Sequence, residues 1–232
     1  DPLSPAAPCG ERMQRAALAY RAPGDWGLPE TPASLPAEKG LRLADPAGDG
    51  LYLLVDLQRE EAGLLHLDIA LPEPARILIG FGEHLDDLRA RTSVGGRQFA
   101  AVYEARAGRQ TFTHALKRAG CRYVQLHIYA HAATLYYAGV CPTVYPVDYR
   151  PAFHCADALH NRIFEVSRRT LELCMHEHYE DCPWREQALY AMDSRNQMLC
   201  GYYVFQNKEF AASSLRLLAL GQREDGLLEL CA

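Results

Sequence analysis

Near Asp148 the chain changes its hydrophobic period, and that change limits the fold more than any other feature. Before it come short apolar runs at 51–56, 64–70, 76–81, 98–103, 110–116, 122–129 and 134–140. The run LLHLDIA at 64–70 alternates with period two, as a strand with one buried face does. Gly and Pro clusters separate the runs, so about seven short strands in an antiparallel β-sandwich are expected. The runs from Arg122 and Thr134 are aromatic and β-branched, which suits a pleated, half-buried surface. After Asp148, Leu159, Ile163, Val166, Thr170 and Leu173 step by four, three, four and three. That is the stripe of an amphipathic helix, with Asp157 as a candidate cap. A second helix is expected after Pro183 and a third over Lys208 to Leu220, with Asn207 as N-cap and Gly221 past its end.

The division expected from this pattern is 1–50, 51–147 and 148–232. Residues 1–50 are rich in Pro, Ala and Gly and read as an irregular connection, with a short helix or strand over 11–21. Residues 51–147 are the sandwich, and the remainder is helical. The net charge is −5 and no Lys/Arg block is present, which argues against nucleic acid as a partner. No run of about 18 apolar residues exists to span a membrane. The N-terminus lacks a charged head followed by an apolar segment, so the reading leans to the cytoplasm, although the chain does not begin with Met. The oligomeric state is left open. Eight cysteines occur at irregular spacings without CxxC, and reduced, mostly buried thiols are expected.

Residues 178–195 carry the chemistry. Asp181, Glu186 and Asp193 fall within thirteen positions, with Cys182 and Pro183 at the front and Trp184 and Tyr190 between the acids. Proline is tolerated in a first helical turn. On that basis Asp181 stands ahead of a helix, and Glu186 and Asp193, seven residues apart, share one of its faces. Carboxylates interleaved with aromatic rings are what a sugar site needs, rings for a sugar face and carboxylates for hydroxyls and proton transfer. Arg185, flanked by acids, is expected to orient them and favour their ionised forms. His176, His178, Asp181 and Cys182 are metal-capable types, but residues two apart on a helix do not converge and the familiar zinc spacings are absent. Neither metal nor cofactor is expected. Cys182 reads as a packing residue, not a nucleophile.

The run Asp181-Cys182-Pro183, Arg185-Glu186, Tyr190 and Asp193 resembles the signature of the bacterial α-L-rhamnosidases, glycosidases built on a six-hairpin (α/α)6 toroid. The resemblance implies Glu186 as general acid and Asp181 and Asp193 as holders of sugar hydroxyls. Arg185, Trp184 and Tyr190 would complete the substrate-binding set. Many family members carry Arg-Asp-Glu-Arg and a Gly-Trp-x-Gly-Asp ending. This chain has Arg185-Glu186-Gln187 and Tyr190-Ala191-Met192-Asp193, a departure that bears on sugar specificity more than on reaction type. Asp56, Glu60, Gly63, Gly82-Glu83 and the run from Gly120 to Val124 resemble the β-domain that precedes the toroid in such enzymes.

The resulting expectation is a multi-domain chain: an antiparallel β-sandwich followed by the start of an incomplete (α/α)6 toroid. A toroid needs about twelve helices of about 11–12 residues, and roughly a quarter is present. The implied reaction is inverting hydrolysis of terminal α-L-rhamnosyl or related deoxyhexosyl linkages, with the base beyond Ala232 and this piece inactive alone. The alternative is a non-catalytic carbohydrate-binding or structural sandwich, with Tyr103, Tyr123, Tyr129, Tyr136 and Tyr137 as its rings.

Overall fold

The computed structural model describes residues 39–46, 49–86, 89–147 and 153–231. It divides into two compact units, one ending at Pro142 and the other beginning at Thr143. The expected element at 11–21 lies outside the described residues.

The first unit is all β. Its strands are β1 (Leu41–Ala44), β2 (Leu51–Leu71), β3 (Ala75–Gly82), β4 (Leu85–Asp86), β5 (Arg89–Ala90), β6 (Ser93–Val94), β7 (Arg97–Gln98), β8 (Ala100–Ala105), β9 (Gly108–Ile128) and β10 (Ala132–Pro142). Six form one sheet in the order β1-β10-β2-β9-β3-β8, and β4-β5 and β6-β7 form small ribbons. Every pairing is antiparallel. The expected strands at 51–56 and 64–70 are one 21-residue strand, as are those at 110–116 and 122–129. Part of the stretch expected as irregular, residues 41–44, is strand β1, paired with β10.

The long strands explain how one sheet makes two layers. The register of β2 against β9 breaks between Asp56 and Glu61 and again between Leu64 and His66. At the first break Gln58 has φ 66, and its N–H donates to Asp56 Oδ1 at 2.7 Å. Arg122 grips the same carboxylate through Nε and Nη2 at 2.9 and 3.0 Å. Such bulges bend and twist strands. Leu51–Asp56 and Tyr123–Ile128 pair with each other, and the latter also pairs with β3. Gly63–Leu71 and Gly108–Ala119 make the other half with β10. Leu65, Leu67 and Phe112 of one half and Ile79, Val124 and Leu126 of the other line a common void of only about 10 Å³, so the halves close on each other as a sandwich. At Gly63 a Cβ would stand 2.0 Å from the Cys141 carbonyl oxygen; only glycine lets β2 and β10 approach so closely there.

Alternation is clearest in β2, where Leu65, Leu67, Ile69 and Leu71 are buried and the intervening residues are half-buried. In the other half Leu51 to Leu54 are all buried, because both faces are covered. On one of them sit Gln125 and His127. Gln125 Oε1 accepts from Tyr52 Oη at 3.2 Å and from the Ala90 N–H at 2.9 Å. The His127 ring meets Tyr52 edge-on at 4.7 Å.

The second unit holds α1 (Ala158–Leu173), α2 (Ala191–Val204) and α3 (Lys208–Leu220). Asp157 caps α1, its Oδ1 accepting the Leu159 N–H at 2.8 Å. Asn207 caps α3 through the Phe210 N–H at 2.9 Å. Both caps, and the bounds of α3, are as the sequence predicts. The core comprises Leu171, Met175, Tyr179, Leu189, Met198, Phe205, Phe210, Ala211 and Leu218. Residues 143–147 belong here and not with the sandwich, because the Tyr145 N–H donates to Met175 O at 2.7 Å and the Tyr145 ring lies 4.5 Å from Phe210. Residues 222–231 return to the start of α2, with bridges Gln222–Leu228 and Tyr190–Cys231.

The stripe predicted on α1 is present but uncovered among the described residues: Leu159, Ile163 and Val166 are 65%, 53% and 47% exposed. On α3 Leu215, Leu217 and Leu220 are exposed, while Leu218 is buried in the core. No disulfide joins the seven described cysteines; Cys121 and Cys174 are buried, whereas Cys141 and Cys200 are exposed, so the thiols are less buried than expected. Among the described residues no helix is long and apolar enough to cross a membrane.

Candidate active site

Asp181 and Glu186 sit on a closed loop, and the helix expected after Pro183 does not form there. The next helix starts only at Ala191. The Asp181 N–H donates to Ala188 O at 3.1 Å, and Asp181 Oδ1 accepts the Ala188 N–H at 3.1 Å. These two bonds tie the loop at its neck. Within it Gln187 takes φ 56, a left-handed conformation costing about 1–2 kcal/mol for a residue with a Cβ. Its side chain offsets part of that cost, Nε2 donating to Pro183 O at 2.7 Å. Side-chain bonds to nearby backbone compete with helix, and here they win. The shared helical face expected for Glu186 and Asp193 therefore does not exist.

A buried platform holds the loop. Met175 and Tyr179 bridge a tight turn, the Glu180 N–H donates to Cys174 O at 2.9 Å, and Gln197 of α2 donates to Glu180 O at 2.6 Å. Tyr179 lies in the core edge-on to Phe210 at 4.7 Å; burial, and then Tyr202, push its hydroxyl up to about 12. His176 is buried and hydrogen-bonded. Its ring nitrogens face Thr143 O at 3.2 Å and Leu173 O at 2.9 Å, with Glu180 Oε2 3.8 Å away. Trp184, expected beside the sugar, is only 7% exposed.

Asp181, Cys182 and Glu186 converge, their ligand-capable atoms all within 4.8 Å of one another. Cys182 Sγ accepts the Glu186 N–H at 3.4 Å and donates to Glu186 Oε2 at 3.9 Å. Arg185 Nη2 lies 3.0 Å from Glu186 Oε1. Burial acts to raise Asp181, but hydrogen bonds from Glu186, Cys182 and the Ala188 and Cys182 backbone outweigh it and hold its carboxyl below the usual value. Burial, with Asp181 adding to it, pushes the Cys182 thiol up. A thiol kept protonated is a poor nucleophile, and its S–H is available to donate a hydrogen bond.

Tyr190 is the N-cap residue of α2, and Asp193 is exposed in its first turn, where a carboxylate favours the helix dipole. Asp181 also lines a groove of about 590 Å³ between α1 and α2, with Phe164, Leu171, Cys200, Tyr203 and Val204 among others. Sequence reasoning did not find Gln187, Ala188 and Gln197, whose roles depend on the loop's closure. In the sandwich, Tyr103 stacks on Phe112 at 4.5 Å and Tyr136 lies under the Arg109 guanidinium at 3.7 Å, so these two rings have partners within their own sheet.

Comparison with known proteins agrees with this architecture. Residues 150–232 match the family model of the bacterial α-L-rhamnosidase six-hairpin glycosidase domain. The structure of a GH78 family rhamnosidase of Bacillus sp. GL1 is 28% identical over 94% of this chain, with a TM-score of 0.69. A rhamnosidase from Klebsiella oxytoca with rhamnose bound is 22% identical over 95% of the chain, also at 0.69. A Streptomyces avermitilis α-L-rhamnosidase complexed with L-rhamnose is 15% identical over 90%, at 0.60. The last two likenesses concern the fold alone. The chain spans 22%, 49% and 21% of those proteins' lengths respectively. Comparison with curated proteins gives no match. The chain thus resembles the bacterial α-L-rhamnosidases, with an antiparallel β-sandwich followed by the first helices of their six-hairpin glycosidase domain.

Proposed function

We propose that this chain is part of a glycoside hydrolase that cleaves terminal α-L-rhamnosyl, or related deoxyhexosyl, linkages with inversion. The observation that carries the reading is the Glu186 carboxyl, held by Arg185 on one oxygen and by Cys182 on the other, within a segment that matches a rhamnosidase domain. In this reading Glu186 is the general acid that protonates the leaving oxygen. Asp181 and Asp193 hold sugar hydroxyls, and Arg185, Tyr190 and the edge of Trp184 complete the subsite. The substrate is a carbohydrate, and the chemistry calls for no cofactor.

Asp181 is not the partner base. An inverting pair stands about 6.5–9.5 Å apart to admit water, and a retaining pair about 5–5.5 Å with the sugar between them. Carboxylate oxygens of Asp181 and Glu186 lie within 4.8 Å of each other, nearer than either kind of pair. In this reading the second carboxylate is supplied by a later hairpin, as the family resemblance implies, and the 232 residues alone have no turnover. The test is proton NMR of an aryl α-L-rhamnoside incubated with a version extended through the whole toroid, beside this chain. β-L-Rhamnose as the first-formed anomer, from the extended version only, supports the reading. α-Rhamnose first, or equal rates from both, contradicts it.

A further inference from the structure

The further inference concerns Cys182 and rests on the reading of Glu186 as the acid. Arg185 Nη2 sits at Glu186 Oε1, 3.0 Å away. A guanidinium donates and never accepts, so the carboxyl proton of an acid held this way belongs on the other oxygen, Oε2. Oε2 faces Cys182 Sγ at 3.9 Å, and the same sulfur accepts the Glu186 backbone N–H at 3.4 Å. Asp181 closes the group, with all three side chains' polar atoms within 4.8 Å. A thiol is both a weak donor and a weak acceptor. A carboxylate in its place would repel the ionised acid, and an ammonium could not accept the Glu186 N–H.

We propose that Cys182 is a positioning residue for the acid: its sulfur fixes the Glu186 backbone, and its S–H turns between Asp181, while Glu186 is protonated, and Glu186 Oε2, once that proton has left. The loop's geometry then survives both halves of a catalytic cycle. Burial keeps the thiol protonated, which leaves the S–H available for this exchange. No covalent step involves the sulfur. A residue that merely packs would tolerate alanine without altering the titration of its neighbours.

The test uses the 232-residue chain and needs no turnover. Side-chain carboxyl carbons are followed by NMR through a pH titration, together with backbone amide exchange, in wild type, Cys182→Ala and Cys182→Ser. In Cys182→Ala, Asp181 loses a bond that favours its ionised form, so its midpoint moves up. The Glu186 amide exchanges about fivefold faster, the factor carried by one ordinary hydrogen bond. Protection at Asp181 and Ala188 persists, and Cys182→Ser lies closer to wild type in both readouts. Unchanged Asp181 titration and unchanged Glu186 exchange in Cys182→Ala overturn the proposal. If alanine unfolds the loop, infrared spectra of wild type decide: the Cys182 S–H stretch, assigned against Cys182→Ser, shifts as the carboxyl pair titrates, and a stretch that stays put overturns the proposal. A catalytically silent Glu186→Gln change in the extended version would sink the acid assignment and leave these readouts standing.

Discussion

The two units bury apolar surface in different ways. The sandwich closes on itself: both halves come from the same long strands, and the inward residues of β2 find their partners within 39–142. The helical unit has a core of nine buried residues, yet three residues of its best amphipathic stripe, on α1, face outward. A doubled sheet satisfies its inner face by bending, whereas a helix needs a neighbour for every apolar stripe. The sandwich is therefore the self-sufficient unit. The helical unit depends on a small cluster around Tyr179 and Phe210, the cluster beneath the acid-bearing loop.

The sharpest way to break this contrast is Phe210→Ala. Phe210 contacts both Tyr179 and Tyr145, and truncating a buried phenylalanine costs about 3–5 kcal/mol. Hydrogen exchange in urea should show amides of 171–220 losing protection while those of β2 and β9 keep theirs. Equal loss in both units would mean that they fold as one.

A somewhat smaller effect isolates the sandwich. Burial pushes His127 from its ordinary value of 6.5 down to about 4, so the unfolded chain takes up a proton there before the folded one does. Its contribution to stability is complete above pH 6.5 and fades as the pH falls to about 4, a loss of roughly 3 kcal/mol. Urea midpoints of the sandwich should drop over that window, and His127→Phe should flatten the drop. A wild-type midpoint constant from pH 6.5 to 4 would contradict the buried, neutral imidazole.

The smallest effect is on the outward stripe. Leu159→Lys with Ile163→Lys should change stability by no more than about 0.5 kcal/mol, as exposed sites do. It should also reduce self-association in sedimentation, because exposed apolar patches favour it. A large destabilisation would show that the stripe is already buried in solution.

What could be read from the sequence was local. The period switch separates sheet from helices because periodicity needs only neighbours in the chain. The Asp157 and Asn207 caps are legible for the same reason, since each bonds an N–H two or three residues on. The joining of four expected strands into β2 and β9 was not legible, because the bend at Gln58 is set by Arg122, 66 positions from Asp56. The loop at 181–188 misled for a related reason. Pro183 and the residues after it are acceptable in a helix, and only the Asp181–Ala188 closure tips them out of one. The acids' identities survived that error, but their arrangement did not: Glu186 is joined to Asp181 through the loop, not to Asp193 along a helical face.

The central claim is that Glu186 donates a proton. The measurement that tests it most directly compares Glu186→Gln with wild type in the toroid-length version, on rhamnosides with good and poor leaving groups. General acid catalysis contributes about 10²–10⁴-fold. The account predicts a loss of that order on the poor leaving group and little loss on a good one, which departs without a proton. Equal losses on both would assign Glu186 to binding or support and contradict the account.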